Sequence, residues 1–284
     1  MQEGDLFSRA GASYIVGRES NTTFQESLAG RAVGPHSNQF DIAVDPFDAS
    51  GQMLPLLSAP DRTPVGAGDK KVQSYNFRLC VTKNESNMLP FPKPRDYDPA
   101  TWELLRRYAK ACFPSDDSTE AMRGCQFGFP SCNTAEVPGG KYDMNNCGGM
   151  SSDFIGQSWK YPEANYTERR DIWRAHRDYQ MGLLYSMAND PAMPVAVRNG
   201  MKPWGLCKDE FAELQGWAPA LYVRAARRLV GERIFSQNTP KEQDAMGDIG
   251  DESIGLGNYN FDSHNAQRMA CKSSADCMVR RRSR

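Results

Sequence analysis

An acidic residue and a histidine stand two positions apart in the stretch GLGNYNFDSHN, residues 255–265. Residues two apart on an extended backbone point to the same side, so Asp262 could orient the ring of His264 for proton transfer. Histidine is the usual proton carrier near neutral pH. We therefore take His264 and Asp262 as candidate catalytic residues. The alternative is that Asp262 caps a turn and His264 makes a structural hydrogen bond.

Three arginines lie among apolar residues in the stretch LYVRAARRLVG, namely Arg224, Arg227 and Arg228. Arginine is rarely buried unless it is paired. A guanidinium could therefore clamp a substrate carboxylate or offset the negative charge of a cofactor. The alternative is ion pairing, for which we expect Glu232, Asp209 or Glu210 as partners.

A polar stretch at residues 142–154 offers three more candidates for substrate binding, Asn145, Asn146 and Asp153. Their side chains could hydrogen-bond a sugar-like or polyol substrate. Loop Asn and Asp side chains also commonly bond to their own backbone, which would explain them without a ligand. Tyr259 is a further candidate, because it precedes His264 closely enough for both to face one substrate.

Several classes of site are excluded by what the sequence lacks. It has no G-x-G-x-x-G, P-loop, H-E-x-x-H or G-x-S-x-G pattern. Its eight cysteines form no C-x-x-C pair and its three histidines are far apart, so no metal site is expected. The cysteines at 112, 125, 132 and 147 are either unpaired apolar side chains or form one or two disulfides.

The bulk composition is that of a soluble globular protein rich in loops, with 24 Gly and 18 Pro among 284 residues. A net charge of −1 gives no field that would attract nucleic acid or a membrane surface. No apolar run is long enough to span a bilayer, and residues 1–14 contain no apolar signal segment. Glycosylation sequons begin at Asn21, Asn84 and Asn165, so the localisation is unknown and a secreted parent protein stays open.

The periodic elements are few and predict an α+β fold, with helices around a small, mostly antiparallel sheet and long loops. Alternating apolar residues predict a strand over 71–83. Apolar residues at helical spacing predict helices over 99–112, capped by Asp98, and over 167–189, capped by Thr167. A short helix over 194–201 is also expected.

Two segments are harder to interpret. Residues 113–152 show no periodicity and predict a long irregular loop, and a loop of that length is usually functional or disordered. Residues 220–237 fit a strand at each end and a helix between, and periodicity alone does not decide between them. His176 lies on the apolar stripe of the 167–189 helix, which favours a buried structural histidine.

Many ordered stretches together resemble one family, the FAD-dependent oxidoreductases, some of whose relatives are labelled xanthan-lyase-like. The stretches are GDLFSRAGASYIVGRESNTTFQESLAG (4–30), SYNFRLCVTK (74–83), FPKPRDYDP (91–99), GGKYDMNN (139–146), SSDFIG (151–156), YPEANYTERRDIWRAHRDYQMGLLYSMANDP (161–191), WGLCKDEF (204–211), LYVRAARRLVGE (221–232) and ESIGLGNYNFDSHNAQR (252–268).

The resemblance implies a two-domain flavoprotein, in which a Gly-rich βαβ unit binds the FAD pyrophosphate and a C-terminal segment closes the flavin site. Neither is recognisable here, so the sequence is expected to be an internal fragment. Residues 1–268 would form the substrate or cap region and residues 269–284 a disordered basic tail. FAD is the cofactor implied for the parent protein, and we expect weak or no FAD binding by this chain alone.

The function implied by the resemblance is to shape a substrate pocket over the flavin for hydride transfer. The expected partners are a small-molecule substrate and either the missing segments of the same flavoprotein or a second copy, with no nucleic acid and no membrane. Exposed apolar surface would be a consequence of a missing Rossmann sheet. Two alternatives are a non-catalytic binding module and a carbohydrate-active lyase that pairs Tyr259 with His264.

Overall fold

The computed structural model describes residues 3–32, 39–115, 125–130, 134–232, 234–239 and 262–270. One continuous apolar core joins the helices to the main sheet. The helices are α1 Asp5–Arg9, α2 Glu103–Cys112, α3 Tyr166–Asn189 and α4 Val195–Met201. The strands are β1 Tyr14–Ile15, β2 Leu79–Thr82, β3 Met88–Leu89, β4 Thr134–Val137, β5 Lys141–Met144, β6 Gly205–Cys207 and β7 Arg228–Leu229.

The strands form two antiparallel sheets. The main sheet has the order β3-β6-β2-β5-β4, and β1 pairs with β7 in a separate two-stranded sheet. This arrangement of helices around small antiparallel sheets confirms the predicted α+β class. No helix in the described part of the chain is long and apolar enough to cross a bilayer.

The predicted helices form, with one correction to a cap. Asp98 accepts a hydrogen bond from the Ala100 N–H and begins a 3-10 turn that continues into α2. The long helix α3 starts after Asn165 and not at Thr167. The Asn165 side chain accepts from the N–H groups of Thr167 and Glu168, and the Glu168 carboxylate accepts from the Asn165 N–H. Asn165 therefore takes the capping position, because its side-chain oxygen lies within reach of two backbone donors in the first turn.

The predicted strand over 71–83 is shorter than expected, since only Leu79–Thr82 pairs within the sheet. Residues 72–78 remain extended and run through the core, where Tyr75 and Phe77 are fully buried. The amide of Gln180 on α3 donates to the Phe77 carbonyl and accepts from its N–H. This side chain satisfies the backbone of a segment that lies outside the sheet, so the segment stays buried without a partner strand.

The prediction of an irregular loop over 113–152 is wrong in part. Thr134–Val137 and Lys141–Met144 form a hairpin at the edge of the sheet, and Gly139 and Gly140 in its turn both have positive φ angles. Glycine allows that backbone conformation at no steric cost. Within the hairpin, residues 135–137 are exposed and only Met144 is fully buried, so the sequence carries no clear apolar alternation there.

Residues 220–232 and 234–237 contain no helix. Tyr222 pairs with Asn76 in an isolated antiparallel bridge, and Arg228–Leu229 pairs with β1. Pairing with Asn76 and with β1, which are far away in the sequence, thus determines the extended conformation of this segment. Local periodicity did not decide between strand and helix here.

The described cysteines are all disulfide-bonded. Cys80 is joined to Cys207 across β2 and β6, and Cys112 to Cys125 after α2. Cys147 is disulfide-bonded as well. For Cys112, Cys125 and Cys147 the structure therefore decides between the two alternatives in favour of pairing, and Cys132 lies outside the described residues. Residues 271–284, most of the predicted basic tail, lie outside the described residues, and the predicted domain boundaries stay predictions.

Candidate functional site

A fully buried carboxylate, Asp153, lies among several other buried polar side chains in the core. It belongs to the loop that follows β5. The next residue along, Phe154, donates its backbone N–H to the Tyr75 carbonyl at 3.0 Å, which fixes the loop against the extended segment 72–78. The Asp153 N–H donates to Ser151 Oγ at 3.1 Å. The loop is thus tied on both sides of the carboxylate.

Three side chains from distant parts of the chain meet on this carboxylate. Ser74 Oγ donates to Oδ2 at 3.0 Å, and His264 Nδ1 lies 2.8 Å from the same oxygen. Arg224 Nη1 lies 2.9 Å from Oδ1, within ion-pair distance, although its N–H does not point at that oxygen. A buried carboxylate is stable only when such charged and hydrogen-bonding partners surround it.

Backbone and amide contacts hold these segments together. The His264 N–H donates to Gln73 Oε1 at 2.8 Å, and the Ser74 N–H donates to the Asn265 carbonyl at 3.3 Å. On another side of segment 72–78, the Tyr222 N–H donates to the Asn76 carbonyl at 2.8 Å. The segment therefore serves as the common support for the candidate site.

The hydrogen bonds define which ring nitrogen of His264 is free. A carboxylate only accepts, so Nδ1 carries the hydrogen that faces Asp153. In the neutral ring Nε2 is then unprotonated and able to accept a proton. It lies 3.5 Å from Asp262 Oδ1, whose side chain is 61% exposed, whereas the His264 side chain is only 8% exposed. The ring therefore lies between a buried carboxylate, to which it is hydrogen-bonded, and an exposed carboxylate near Nε2.

Arg224 is bound mostly to other groups of the protein. Nη1 donates to the Ser74 carbonyl at 2.7 Å, and Nη2 donates to the side-chain oxygens of Asn76 at 3.1 Å and Asn145 at 3.4 Å. Burial lowers the pKa of Arg224, and the Asp153 carboxylate opposes that shift. Nε has no hydrogen-bond acceptor within the described residues. This guanidinium thus joins three segments of the site.

The other predicted binding residues differ in position. Asn145 borders the cluster through its contact with Arg224, and Asn146 next to it is buried. Arg227 and Arg228 lie elsewhere, because Arg227 pairs with Asp5 and Arg228 with Glu19. Tyr259 lies outside the described residues. Binding roles for all of these residues stay predictions.

The acidic partners expected for the arginines were wrong. Asp209 and Glu210 pair instead with Lys141, at 2.8 and 2.6 Å. Glu232 forms no ion pair within the described residues. Arg224, Arg227 and Arg228 find carboxylates that are 71 to 222 positions away in the sequence, and such partners cannot be inferred from neighbouring residues.

Sequence reasoning missed Ser74, Asn76 and Arg268. Ser74 and Asn76 alternate with Tyr75 and Phe77 in a strongly apolar segment, and polar residues at those positions are a signal of buried hydrogen bonding. Arg268 is fully buried, and its Nη2 donates to Tyr179 Oη at 2.8 Å and to the Asp153 carbonyl at 3.1 Å. It supports the Asp153 loop from behind, and nothing in the local sequence indicated this contact.

A second buried histidine lies close to the same loop but is fully bonded. His176 Nδ1 donates to the Ile172 carbonyl at 2.8 Å, and Nε2 lies 3.2 Å from Ser158 Oγ. Burial lowers the pKa of His176 to about 4, against hydrogen bonding to Ile172 and the charge of Asp153, which raise it. This confirms the prediction that His176 is a buried core residue.

The described residues form no recognisable binding site for a phosphate or a metal ion. The N-terminus of α3, the longest helix, is filled by the Asn165 amide and the Glu168 carboxylate. Phosphates bind helix N-termini through the same N–H groups that this cap occupies. In the described ranges, no three His, Cys, Asp or Glu side chains are grouped so that they could hold a metal ion.

Comparison with known proteins assigns the chain to a family. Residues 2–282 match the family described as FAD dependent oxidoreductase. No curated protein and no solved structure gives a significant match. Since the matched range covers nearly the whole sequence, the chain belongs to the FAD dependent oxidoreductase family.

Proposed function

We propose that this chain shapes the substrate pocket of an FAD-dependent oxidoreductase, with His264 as the proton acceptor. FAD supplies the redox chemistry in such enzymes, whereas the protein supplies binding, orientation and proton transfer. The observation that carries the proposal is the 2.8 Å contact between His264 Nδ1 and the buried Asp153 carboxylate. That contact leaves Nε2 as the free acceptor.

The proposed proton transfer needs only the residues already described. An alcohol substrate that is oxidised to a carbonyl loses a hydride from carbon and a proton from oxygen. Nε2 of His264 takes the hydroxyl proton while Asp153 holds Nδ1–H in place. The carboxylates of Asp153 and Asp262 stabilise the imidazolium that forms, in the way that a buried acid orients a catalytic histidine in hydrolases.

Substrate binding is proposed for the polar groups beside this ring. Asn145 lies at the edge of the cluster, and Arg224 is held by three oxygen acceptors that fix its plane. We propose Asn145, Asn146 and Tyr259 as hydrogen-bonding groups for a polyol or sugar-like substrate. For Arg224 the contacts favour a positioning role, because only Nε lacks a partner among the described residues.

The described residues do not fit the pyrophosphate of FAD. Every described strand pair is antiparallel, so this part of the chain contains no βαβ unit, and the cap of α3 occupies its N–H donors. We therefore propose weak or no FAD binding by the chain alone. Titration of the purified protein with FAD tests this, and a yellow complex with sub-micromolar affinity would contradict it.

The partners implied are a small-molecule substrate and either further segments of the same flavoprotein or a second copy of the chain. Exposed apolar residues at Leu229, Val230 and Phe235 support such an association. The lyase alternative depends on Tyr259, for which the described residues offer no support. Disulfides at every described cysteine support an oxidising compartment.

The proposed base is tested with His264→Gln. We would add excess FAD and a panel of alcohols, polyols and sugars to the protein without oxygen, and follow the loss of flavin absorbance. For a substrate that reacts, His264→Gln should lower the rate by about 10²–10⁴-fold, the usual contribution of a general base.

Ser263→Ala is the matched control, because Ser263 is an exposed neighbour in the same segment. It should leave the rate unchanged. The proposal is wrong if His264→Gln and Ser263→Ala react alike with a substrate that bleaches the flavin.

A further inference from the structure

We propose that Asn84 and Asn165 are sites of N-linked glycosylation. Both asparagines begin an Asn-x-Ser/Thr sequon, Asn84-Glu85-Ser86 and Asn165-Tyr166-Thr167. The sequon is necessary but occurs often by chance. Three independent features of the structure support modification at these two positions: exposure, a free amide nitrogen and the state of the cysteines.

Both asparagines are exposed at turns. Asn84 begins the 3-10 turn Glu85–Asn87 that follows β2, and Asn165 caps α3. Neighbouring residues in both sequons are also exposed, and Tyr166 keeps 68% of its surface accessible. A bulky polar glycan therefore has room to project from either site without displacing the core.

The local turns use the oxygen of each amide and leave its nitrogen free. Asn84 Oδ1 accepts from the Ser86 N–H at 3.1 Å and from Ser86 Oγ at 2.8 Å. Asn165 Oδ1 accepts from two backbone N–H groups at 2.9 and 3.0 Å. Neither Nδ2 makes a hydrogen bond to the described residues. Donors on the carbonyl oxygen draw electron density from the amide, which makes Nδ2–H easier to deprotonate.

Asn21, the third sequon asparagine, differs in its packing. Its Nδ2 lies 2.5 Å from the position that a Cβ on Gly66 would take, so the amide lies directly on the Gly66 backbone. The Asn21 N–H also donates to the Gly66 carbonyl at 2.8 Å. Asn21 is exposed as well, but this packing leaves its Nδ2 less room for a sugar than at Asn84 or Asn165. We therefore do not expect a glycan at Asn21 in the folded protein.

The disulfides favour an oxidising compartment, and the secretory route in which such glycosylation occurs is one of these. Every described cysteine is disulfide-bonded, and Cys80–Cys207 lies next to the Asn84 turn. Disulfides persist in oxidising compartments such as the secretory route, and they are rare in the cytosol. Asparagines in sequons are glycosylated only along that route. The disulfides therefore support glycosylation independently of the sequon pattern.

The reaction is a transfer without oxidation or reduction. The amide nitrogen Nδ2 attacks the anomeric carbon of an oligosaccharide carried on a polyprenyl pyrophosphate. A carbon–nitrogen bond forms, the carbon–oxygen bond to the pyrophosphate breaks, and the lipid pyrophosphate leaves. The proton lost from Nδ2 passes to a base of the membrane-bound transferase. The transferase is the catalyst, and the lipid-linked oligosaccharide is its second substrate.

The test uses the protein isolated from its natural source and treated with peptide N-glycosidase in ¹⁸O-labelled water. Glycosylated asparagines become ¹⁸O-labelled aspartates, which peptide mass spectrometry locates. We expect labelled aspartate at positions 84 and 165, with a gain in electrophoretic mobility after treatment. Absence of label at both positions, or label at position 21 alone, would overturn the proposal.

Variants made in a secreting eukaryotic cell supply the controls. Ser86→Ala and Thr167→Ala keep each asparagine but remove its sequon, so each should remove one glycan and the pair should remove both. Thr23→Ala removes the Asn21 sequon and should change nothing. A mobility that none of the three variants alters would also overturn the proposal. None of these positions belongs to the proposed site, so the outcome is independent of the role of His264.

Discussion

Two histidines lie near one loop of this protein, and they differ in how their second ring nitrogen is used. His176 is buried, and both its nitrogens have neutral partners, a backbone carbonyl and a serine hydroxyl. His264 faces a buried carboxylate through Nδ1 and an exposed one near Nε2. The comparison shows that burial alone does not distinguish the two histidines. A free nitrogen beside a fixed acid is what distinguishes the candidate base.

The largest effect should come from removing the acid that holds His264. Asp153→Asn leaves Arg224 buried without its carboxylate, and breaking a buried pair in this way costs about 3–5 kcal/mol. We expect the free energy of unfolding in urea to fall by that amount. Asp143→Asn is the control, since its pair with Arg78 is partly exposed and should contribute less than about 1 kcal/mol. Equal losses of unfolding free energy in the two variants would show that the buried Asp153–Arg224 pair contributes no more than a partly exposed one.

The pH dependence of stability should report on His176. Burial lowers its pKa from 6.5 to about 4, so the unfolded chain binds a proton at a higher pH than the folded protein. Stability is therefore complete above pH 6.5 and decreases as the pH falls towards 4. Between pH 7 and pH 5 the loss should be about 2 kcal/mol.

The experiment is urea unfolding at a series of pH values, with His176→Gln as the comparison. Glutamine does not titrate in this range. Between pH 7 and pH 5 the free energy of unfolding of His176→Gln should therefore fall by about 2 kcal/mol less than that of the original protein. The difference between the two proteins removes the contribution of other groups. Parallel curves would mean that His176 is protonated alike in both states, and the contrast between the two histidines would then be lost.

The smallest effect should follow from Asp262→Asn. Its carboxylate is mostly exposed and 3.5 Å from His264 Nε2, so solvent screens most of the interaction. We expect less than about 1 kcal/mol of change in stability and a rate within about tenfold of the original. Added salt should reduce the difference in rate between the two proteins. A loss as large as that of His264→Gln would move Asp262 from a supporting role to an essential one.

The sequence predicted the elements better than the contacts between them. Helix α3 and the buried segment 72–78 were visible because their apolar spacing is long and regular. The β4–β5 hairpin was missed because β4 is largely exposed and only Met144 of β5 is fully buried, which leaves no apolar alternation to recognise. For residues 220–237, distant pairing partners decide the structure, and no local pattern contains that information.

The candidate site shows the same limit. Asp153, His264 and Arg224 each drew attention as polar residues, but the sequence grouped His264 with its neighbour Asp262. The structure adds Asp153, 111 positions away, as its hydrogen-bond partner. That pairing depends on how four segments meet in the core. The catalytic and binding roles of these residues stay predictions until the variants are measured.

The disulfide between Cys80 and Cys207 has a consequence for the expression of the folded protein. It closes a loop with a sequence separation of 127, which contains α2, the β4–β5 hairpin and α3. On the chain-entropy estimate, a loop of that length stabilises the folded state by about 5 kcal/mol, a large share of the stability of an average domain. Chains synthesised under thiol-reducing conditions should therefore accumulate as misfolded or insoluble material, and recombinant yield should depend more on the oxidant supplied than on the temperature of expression.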